Sequence, residues 1–143
     1  MKIRRFRKKD AEFLAGLSEI ASKELKQDKE TSKDFLKIFN RDKNLIWIAE
    51  DNMEIVGYLY GDIVFKKGIL NSGKMIELAM VYVVKKYRNK GVATKLTKAF
   101  LRSWKKTRYK AVISYALNEV STSLLKDTGF KQRAHVYYLE KKL

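Results

Sequence analysis

Three observations predict a single mixed α/β domain over residues 1–143. Helical periodicity fills residues 10–40, strand-like segments follow to residue 84, and helix and strand alternate from there on. The segment Met75–Val84 is almost wholly apolar, as strands are when both faces are covered. The length of 143 residues supports one core and is short for two. The expected architecture is a mixed β-sheet flanked by helices, in the order β-α-α-β-β-β-α-β-α-β(-β), with helical crossovers in the second half.

Residues 2–7 alternate, with Ile3 and Phe6 apolar, and predict a short edge strand. Asp10 suits an N-cap, after which Phe13, Leu14, Leu17, Ile20, Ala21 and Leu25 recur at helical spacing and predict one buried face. The polar run Lys26 to Glu30 ends that helix, and Thr31 or Ser32 opens a shorter one carrying Phe35, Leu36 and Phe39. Leu45–Glu50, the turn at Asp51-Asn52, Ile55–Phe65, a second turn over Lys66–Gly73 and Met75–Val84 make a three-stranded antiparallel meander. Val92, Leu96, Ala99, Phe100 and Trp104 then share one face of a third helix. Ala111–Ala116 is the next strand, Asn118–Thr128 a helix stopped by Gly129, and Phe130–Leu143 a strand pair or one bent strand. Trp47 and Trp104 read as core, and His135 as a surface or packing residue.

Composition excludes several chemistries. There is no Cys and one His, so disulfides, thiolate nucleophiles and Cys- or His-rich metal sites are not expected. No apolar stretch reaches the roughly 20 residues of a membrane span. The basic N-terminus, MKIRRFRKKD, is followed by no apolar signal core, so the chain reads as cytoplasmic. Lys and Arg number 32 against 16 Asp and Glu, a net charge of +16. That balance either attracts a polyanion, such as nucleic acid or a phosphorylated cofactor, or is general solvation of a Lys-rich surface. On the third helix, Lys95, Lys98, Arg102, Lys105, Lys106 and Arg108 line the polar side.

The segment Met75–Trp104 carries the chemistry. The basic loop Lys85–Lys90 leads into a helix whose first N–H groups and dipole favour an anion. Gly91 permits close backbone approach, Ala93 is small, and Arg88 and Lys90 add charge-assisted contacts. Neither G-x-x-x-x-G-K-[ST] nor G-x-G-x-x-G is present, so this is no nucleotide loop of those kinds. On pattern alone, the segment is either an anion site or a basic turn before a core helix. Glu77 is the only carboxylate in its apolar strand, where burial would raise its pKa towards that of a useful base; otherwise it is a solvated strand-end residue beside Lys74.

Val83-x-x-x-x-Arg88-x-x-Gly91-x-Ala93 resembles the cofactor-binding signature of the GCN5-related N-acetyltransferase superfamily, Arg/Gln-x-x-Gly-x-Gly/Ala. The acidic-turn hairpin Asp51–Gly57 and the Asn118…Gly129-Phe130 pattern also match that superfamily, as does the order of elements. The resemblance implies acetyl-CoA as cosubstrate and no metal. Residues Asn89, Lys90, Gly91, Val92, Ala93 and Thr94, with Arg88, would hold the pyrophosphate. Val81, Tyr82 and Val83 would pair with the pantetheine where the fourth strand splays from the fifth, and Asn118 would fix the cofactor from the other side. Glu77 stands six residues before Val83, where histone-type members carry their general-base Glu.

Two positions depart from the superfamily's patterns. The Tyr that many members place seven residues after the helix-start Asn is Leu125 here, which leaves Tyr82, Tyr115, Tyr137 or Tyr138, or water, to protonate the leaving thiolate. Ribosomal-protein N-terminal acetyltransferases carry Glu five residues before that Asn; here it is Ile113. The expected function is therefore acetyl transfer from acetyl-CoA to a primary amine by direct attack. The acceptor would be recognised by residues 10–40 and the C-terminal strands, with a protein or peptide amine favoured over a polycation that the basic chain repels. A non-catalytic nucleic-acid-binding module on the same fold is the alternative. Monomer and homodimer both remain open.

Overall fold

The computed structural model describes residues 1–66, 73–116, 119–134 and 139–142. Its elements are β1 (Lys2–Arg5), α1 (Ala11–Leu25), α2 (Ser32–Arg41), β2 (Ile46–Asp51), β3 (Glu54–Lys66), β4 (Gly73–Val83), α3 (Val92–Trp104), β5 (Val112–Ile113) and α4 (Glu119–Asp127). The sheet order is β1-β2-β3-β4-β5, antiparallel except for the parallel β4–β5 pair. The β2–β3 turn puts Asn52 and Met53 at positive φ, the geometry of a tight hairpin.

Alternation along β3 sends successive side chains to opposite faces of the sheet. Tyr58 and Tyr60 meet Phe35 of α2 edge-on, so α2, with α1 packed beside it, covers one face. On the other face, a Cβ on Gly57 would meet Leu96, and one on Gly61 would lie 2.7 Å from the Phe100 ring, so α3 packs directly on the glycines. The expected inner face of α3 is fully in place, with Val92, Leu96, Ala99, Phe100 and Trp104 all buried.

Helix ends follow their local chemistry. Thr31 caps α2 in a reciprocal box with Asp34, Thr31 accepting the Asp34 N–H and Asp34 the Thr31 N–H. Gly129 (φ 98°) ends α4, with Phe130 N–H donating to the Leu125 carbonyl and Gly129 N–H to that of Lys126. Asp10 does not cap α1 with its side chain. Its carboxylate instead receives the Arg7 N–H at 2.7 Å and both terminal nitrogens of buried Arg4 at 2.9 and 3.0 Å. Burial alone would push the Asp10 carboxyl up; the Arg4 guanidinium and the Arg7 N–H outweigh it and hold the group below its usual range.

Four expectations are corrected. Of the six residues expected on the inner face of α1, Leu14, Leu17 and Ala21 are buried, while Phe13, Ile20 and Leu25 are exposed, because α2 covers a narrower stripe than the apolar pattern suggests. Trp47 is only half-buried, its ring lying between β1 and α3 near the sheet edge with Arg5 over it. The fifth strand is two residues long, because the chain leaves β4 after Ile113. Of the expected C-terminal strand pair, residues 130–134 and 139–142 form no strand, and residues 135–138 and 143 lie outside the described residues, as do 67–72 of the expected turn.

Candidate active site

The parting of β4 from β5 defines the site. Parallel pairing runs only through Ile76↔Val112 and Glu77↔Ile113, and the Ser114 hydroxyl closes it by donating to the Leu78 carbonyl at 2.9 Å. Among the described residues, no strand pairs with that edge of β4 over residues 79–83. Val84 N–H donates to Val56 at 2.9 Å, and antiparallel hydrogen-bonded pairs recur every second residue, so 82 bonds to 58. Val81 and Val83 therefore turn their backbone groups away from β3, towards the open edge. The Val83 carbonyl confirms this direction by accepting the Arg88 Nε–H at 2.9 Å from outside the sheet.

The loop after β4 delivers the start of α3 to that edge. Residues 85–87 form one 3-10 turn, Asn89 takes φ 60°, and Gly91 takes φ 77° immediately before Val92. No side chain caps α3, its first turn holds no carboxylate, and a Cβ on Gly91 would meet nothing within 4 Å. The leading N–H groups of Val92, Ala93 and Thr94 thus point, with the positive end of the helix dipole, into open space. Val92 is buried and anchors this turn, Ala93 and Thr94 are half-exposed, and Asn89, Lys90 and Gly91 are exposed. Tyr87 fastens the loop to the β2–β3 hairpin by donating to Asp51 at 3.1 Å, with Lys90 5.5 Å from its ring centroid.

Arg88 is held more tightly than its place in the motif suggested. Its two terminal nitrogens meet the Glu24 carboxylate of α1 at 2.5 and 2.9 Å, a two-pronged contact. Tyr82 donates to the same carboxylate at 3.1 Å. The Arg88 hydrogen bonds, with the Tyr82 contact, keep the Glu24 carboxyl below its usual value; burial, with the bond to Glu24, raises the Tyr82 hydroxyl. Glu24 carried no signal in the sequence: it is one of three glutamates on α1, with Glu12 and Glu19, and its partner lies 64 positions away.

Glu77 sits at the last β4–β5 pair, half-buried and directly opposite Asp62 of β3. The register slips between Tyr60↔Met80 and Gly61↔Leu78, which leaves Ala79 as a one-residue bulge. Directly opposed residues share a face, so Glu77 joins Met80 and Tyr82 on the α1/α2 side of the sheet. A regular strand would have placed it with Ala79, Val81 and Val83. On that same side Tyr60 donates to Glu30, Arg41 pairs with Asp62, and the Ser18 hydroxyl donates to Glu30 at 2.6 Å. Burial and the nearby Glu30 carboxylate raise the Tyr60 hydroxyl strongly. Tyr58, fully buried between Tyr60 and Tyr82, has no hydrogen-bond partner for its hydroxyl among the described residues.

Leu125 is buried on α4, and Tyr115 is half-exposed beyond β5. Asn118, His135, Tyr137 and Tyr138 lie outside the described residues. Among the described residues, no group of three or more acidic or His side chains is placed to hold a metal ion, and no helix is long and apolar enough to cross a membrane.

The family model described as "Acetyltransferase (GNAT) family" matches residues 12–130, a span that includes this strand edge and helix start. The chain belongs to this family. No curated protein matches it by sequence. Solved GNAT-fold structures do match. A predicted acetyltransferase from Clostridium acetobutylicum, with acetyl-CoA, superposes with a TM-score of 0.74 at 18% identity, over 97% of this chain and 95% of that one. The aminoglycoside N-acetyltransferase AAC(6')-Iy, in complex with CoA, gives 0.72 at 24% identity over 99% and 100%. The apo aminoglycoside 6'-N-acetyltransferase AAC(6')-IG from Acinetobacter haemolyticus gives 0.70 at 19% over 100% and 99%. The resemblance in the loop, the hairpin and the element order therefore reflects membership of the GNAT family, with the mixed five-stranded sheet as its fold.

Proposed function

We propose that this GNAT protein transfers an acetyl group from acetyl-CoA to a primary amine. The observation that carries the reading is the open edge of β4 at Val81 and Val83 leading into the uncapped start of α3. Two proteins of the same fold hold acetyl-CoA or CoA. The residues fit such a cosubstrate: outward backbone groups suit the amides of a pantetheine arm, and free helix N–H groups with room beside Gly91 suit a pyrophosphate. Bound acetyl-CoA would supply an acetyl group activated as a thioester.

This chain's residues then have distinct tasks. The N–H groups of Gly91, Val92, Ala93 and Thr94, with Asn89 and Lys90, bind the phosphates. Arg88 joins them by leaving Glu24. Val81 and Val83 bind the arm by strand-like pairing, and an outward N–H of this edge stabilises the charge that develops on the acetyl oxygen. Tyr82, whose backbone is spent on β3, acts through Glu24, and Asn118 is assigned to the opposite wall. Glu77 takes a proton from the acceptor's ammonium group, directly or through one water, which leaves the neutral amine free to attack. Leu125 supplies no acid, so the departing thiolate takes its proton from water.

For the acceptor, the net charge of +16 repels polycations at long range and favours a protein or peptide amine. A thiol-release assay with acetyl-CoA and a panel of N-terminal peptides, polyamines and aminoglycosides tests both statements. Turnover of at least one amine is expected; CoA binding without turnover on any class would remove the catalytic reading. Spermidine outperforming the peptides would reverse the acceptor ranking alone.

A further inference from the structure

Charge is divided along this chain with unusual sharpness. Residues 78–118 hold eleven Lys or Arg and no Asp or Glu, while thirteen of the sixteen carboxylates precede residue 78. General solvation would intersperse the signs. Among the described residues, Arg88 alone of these eleven cations forms an ion pair. Lys98 and Arg102, one turn apart on the outer side of α3, and Lys105 and Lys106 in the turn that follows the helix are all exposed and lie in succession along this end of the protein. The Cβ atoms of Lys98 and Arg102 stand about 5–6 Å apart at this spacing.

Beside these cations runs an open groove of about 270 Å³, lined by Ile3, Arg5 and Trp47 from β1 and β2, and by Ala99, Arg102 and Ser103 from α3. Trp47 is half-buried there, its indole N–H donating to the Asn44 carbonyl at 2.9 Å, which fixes the ring. Arg5 lies 5.3 Å from the ring centroid and is oriented by Asn44, 2.9 Å from its Nε. Neither arginine of the groove meets a carboxylate among the described residues.

We propose that this face, distinct from the acetyl-transfer site, binds single-stranded nucleic acid. Phosphates follow Lys98, Arg102, Lys105 and Lys106, and a base enters the groove against Trp47 and Arg5. A continuous cationic track beside an aromatic surface is what sequence-tolerant single-strand binding requires. An acidic protein segment would use the cations but leave the indole idle. A duplex would not offer a base face. A lipid surface would call for exposed apolar side chains, and these four residues offer none.

The test is fluorescence anisotropy of labelled single-stranded RNA and DNA of about twelve nucleotides, with and without saturating CoA. Sub-micromolar binding at low salt is expected, unchanged by CoA, weakening steeply between about 50 and 200 mM salt. Binding should quench a tryptophan signal that is absent from Trp47→Phe. Lys98→Glu with Arg102→Glu should weaken binding at least tenfold and lower the salt slope by about two, with circular dichroism showing the fold retained. Competition by CoA would assign the signal to the acetyl-transfer site and overturn the proposal. So would an undiminished affinity in the charge-reversed variant, or equal binding of poly-glutamate, duplex or anionic vesicles without quenching. Because acetyl transfer is measured separately, its failure and the failure of this proposal are distinguishable.

Discussion

The two faces of the sheet solve the same packing problem with opposite chemistry. The α3 face is dry and close: Leu59 and Val83 pack with Leu96 and Phe100, and glycines let the helix approach. The α1/α2 face buries aromatics too, but interleaves them with charge, in Tyr60–Glu30, Tyr82–Glu24–Arg88, Arg41–Asp62 and Arg4–Asp10. Buried polar groups cost free energy unless paired; on this face that applies to the buried Arg4–Asp10 pair, while Arg41–Asp62 and Arg88–Glu24 are partly exposed to solvent. Reacting groups that must change protonation belong on such a face. The dry face instead gives α3 a rigid seat, which fixes the helix start beside the β4 edge.

That contrast can be broken most strongly at its most buried charge. Asp10→Asn leaves Arg4 with only Glu50 and should destabilise the fold by about 3 kcal/mol, read from the denaturation midpoint. The same pair fixes the pH sense. The Asp10 pKa is lowered in the folded state, so its contribution is complete above the unfolded value of 3.8 and is lost as pH falls through the folded value. Acid unfolding that Asp10→Asn leaves unshifted would remove the pair from the account.

Glu77→Gln keeps size and loses the base. The proposed mechanism expects a rate lower by about 100-fold at neutral pH, with CoA affinity unchanged by calorimetry. An unaltered rate and pH profile would take Glu77 out of the chemistry. On the dry face, Gly61→Ala places a Cβ 2.5 Å from the Glu77 carbonyl and 2.7 Å from Phe100. It should cost about 2 kcal/mol, and a neutral result in thermal unfolding would show that α3 is less closely seated than described.

Smaller effects test the meeting point of the two faces. Gly91→Glu puts a negative side chain at φ 77°, beside the free helix N–H groups. CoA binding should weaken at least tenfold, about 1.4 kcal/mol, and wild-type affinity would place the cofactor elsewhere. Glu24→Gln frees Arg88 from its carboxylate and should tighten CoA binding by a few-fold. Weaker binding would mean that Glu24 serves by holding the loop, and that Arg88 stays with it.

Local chemistry alone determined much of this protein. Periodicity located the helices and the antiparallel meander, the Thr31 box and Gly129 marked helix ends, and Arg88-x-x-Gly91-x-Ala93 marked the helix start that the structure leaves uncapped. These signals are legible because they depend on neighbours within a few residues. Tertiary structure decided what depends on distant partners. Whether Phe13 and Ile20 are covered is set by how much of α1 faces α2, and the half-exposure of Trp47 by the gap between β1 and α3. The engagement of Arg88 by Glu24 needs two segments brought together across the mouth of the site. The bulge at Ala79 is the sharpest case. One extra residue opposite β3 reverses the side-chain alternation and puts Glu77 on the charged face, and only pairing between strands, not composition within one, could decide where that residue goes.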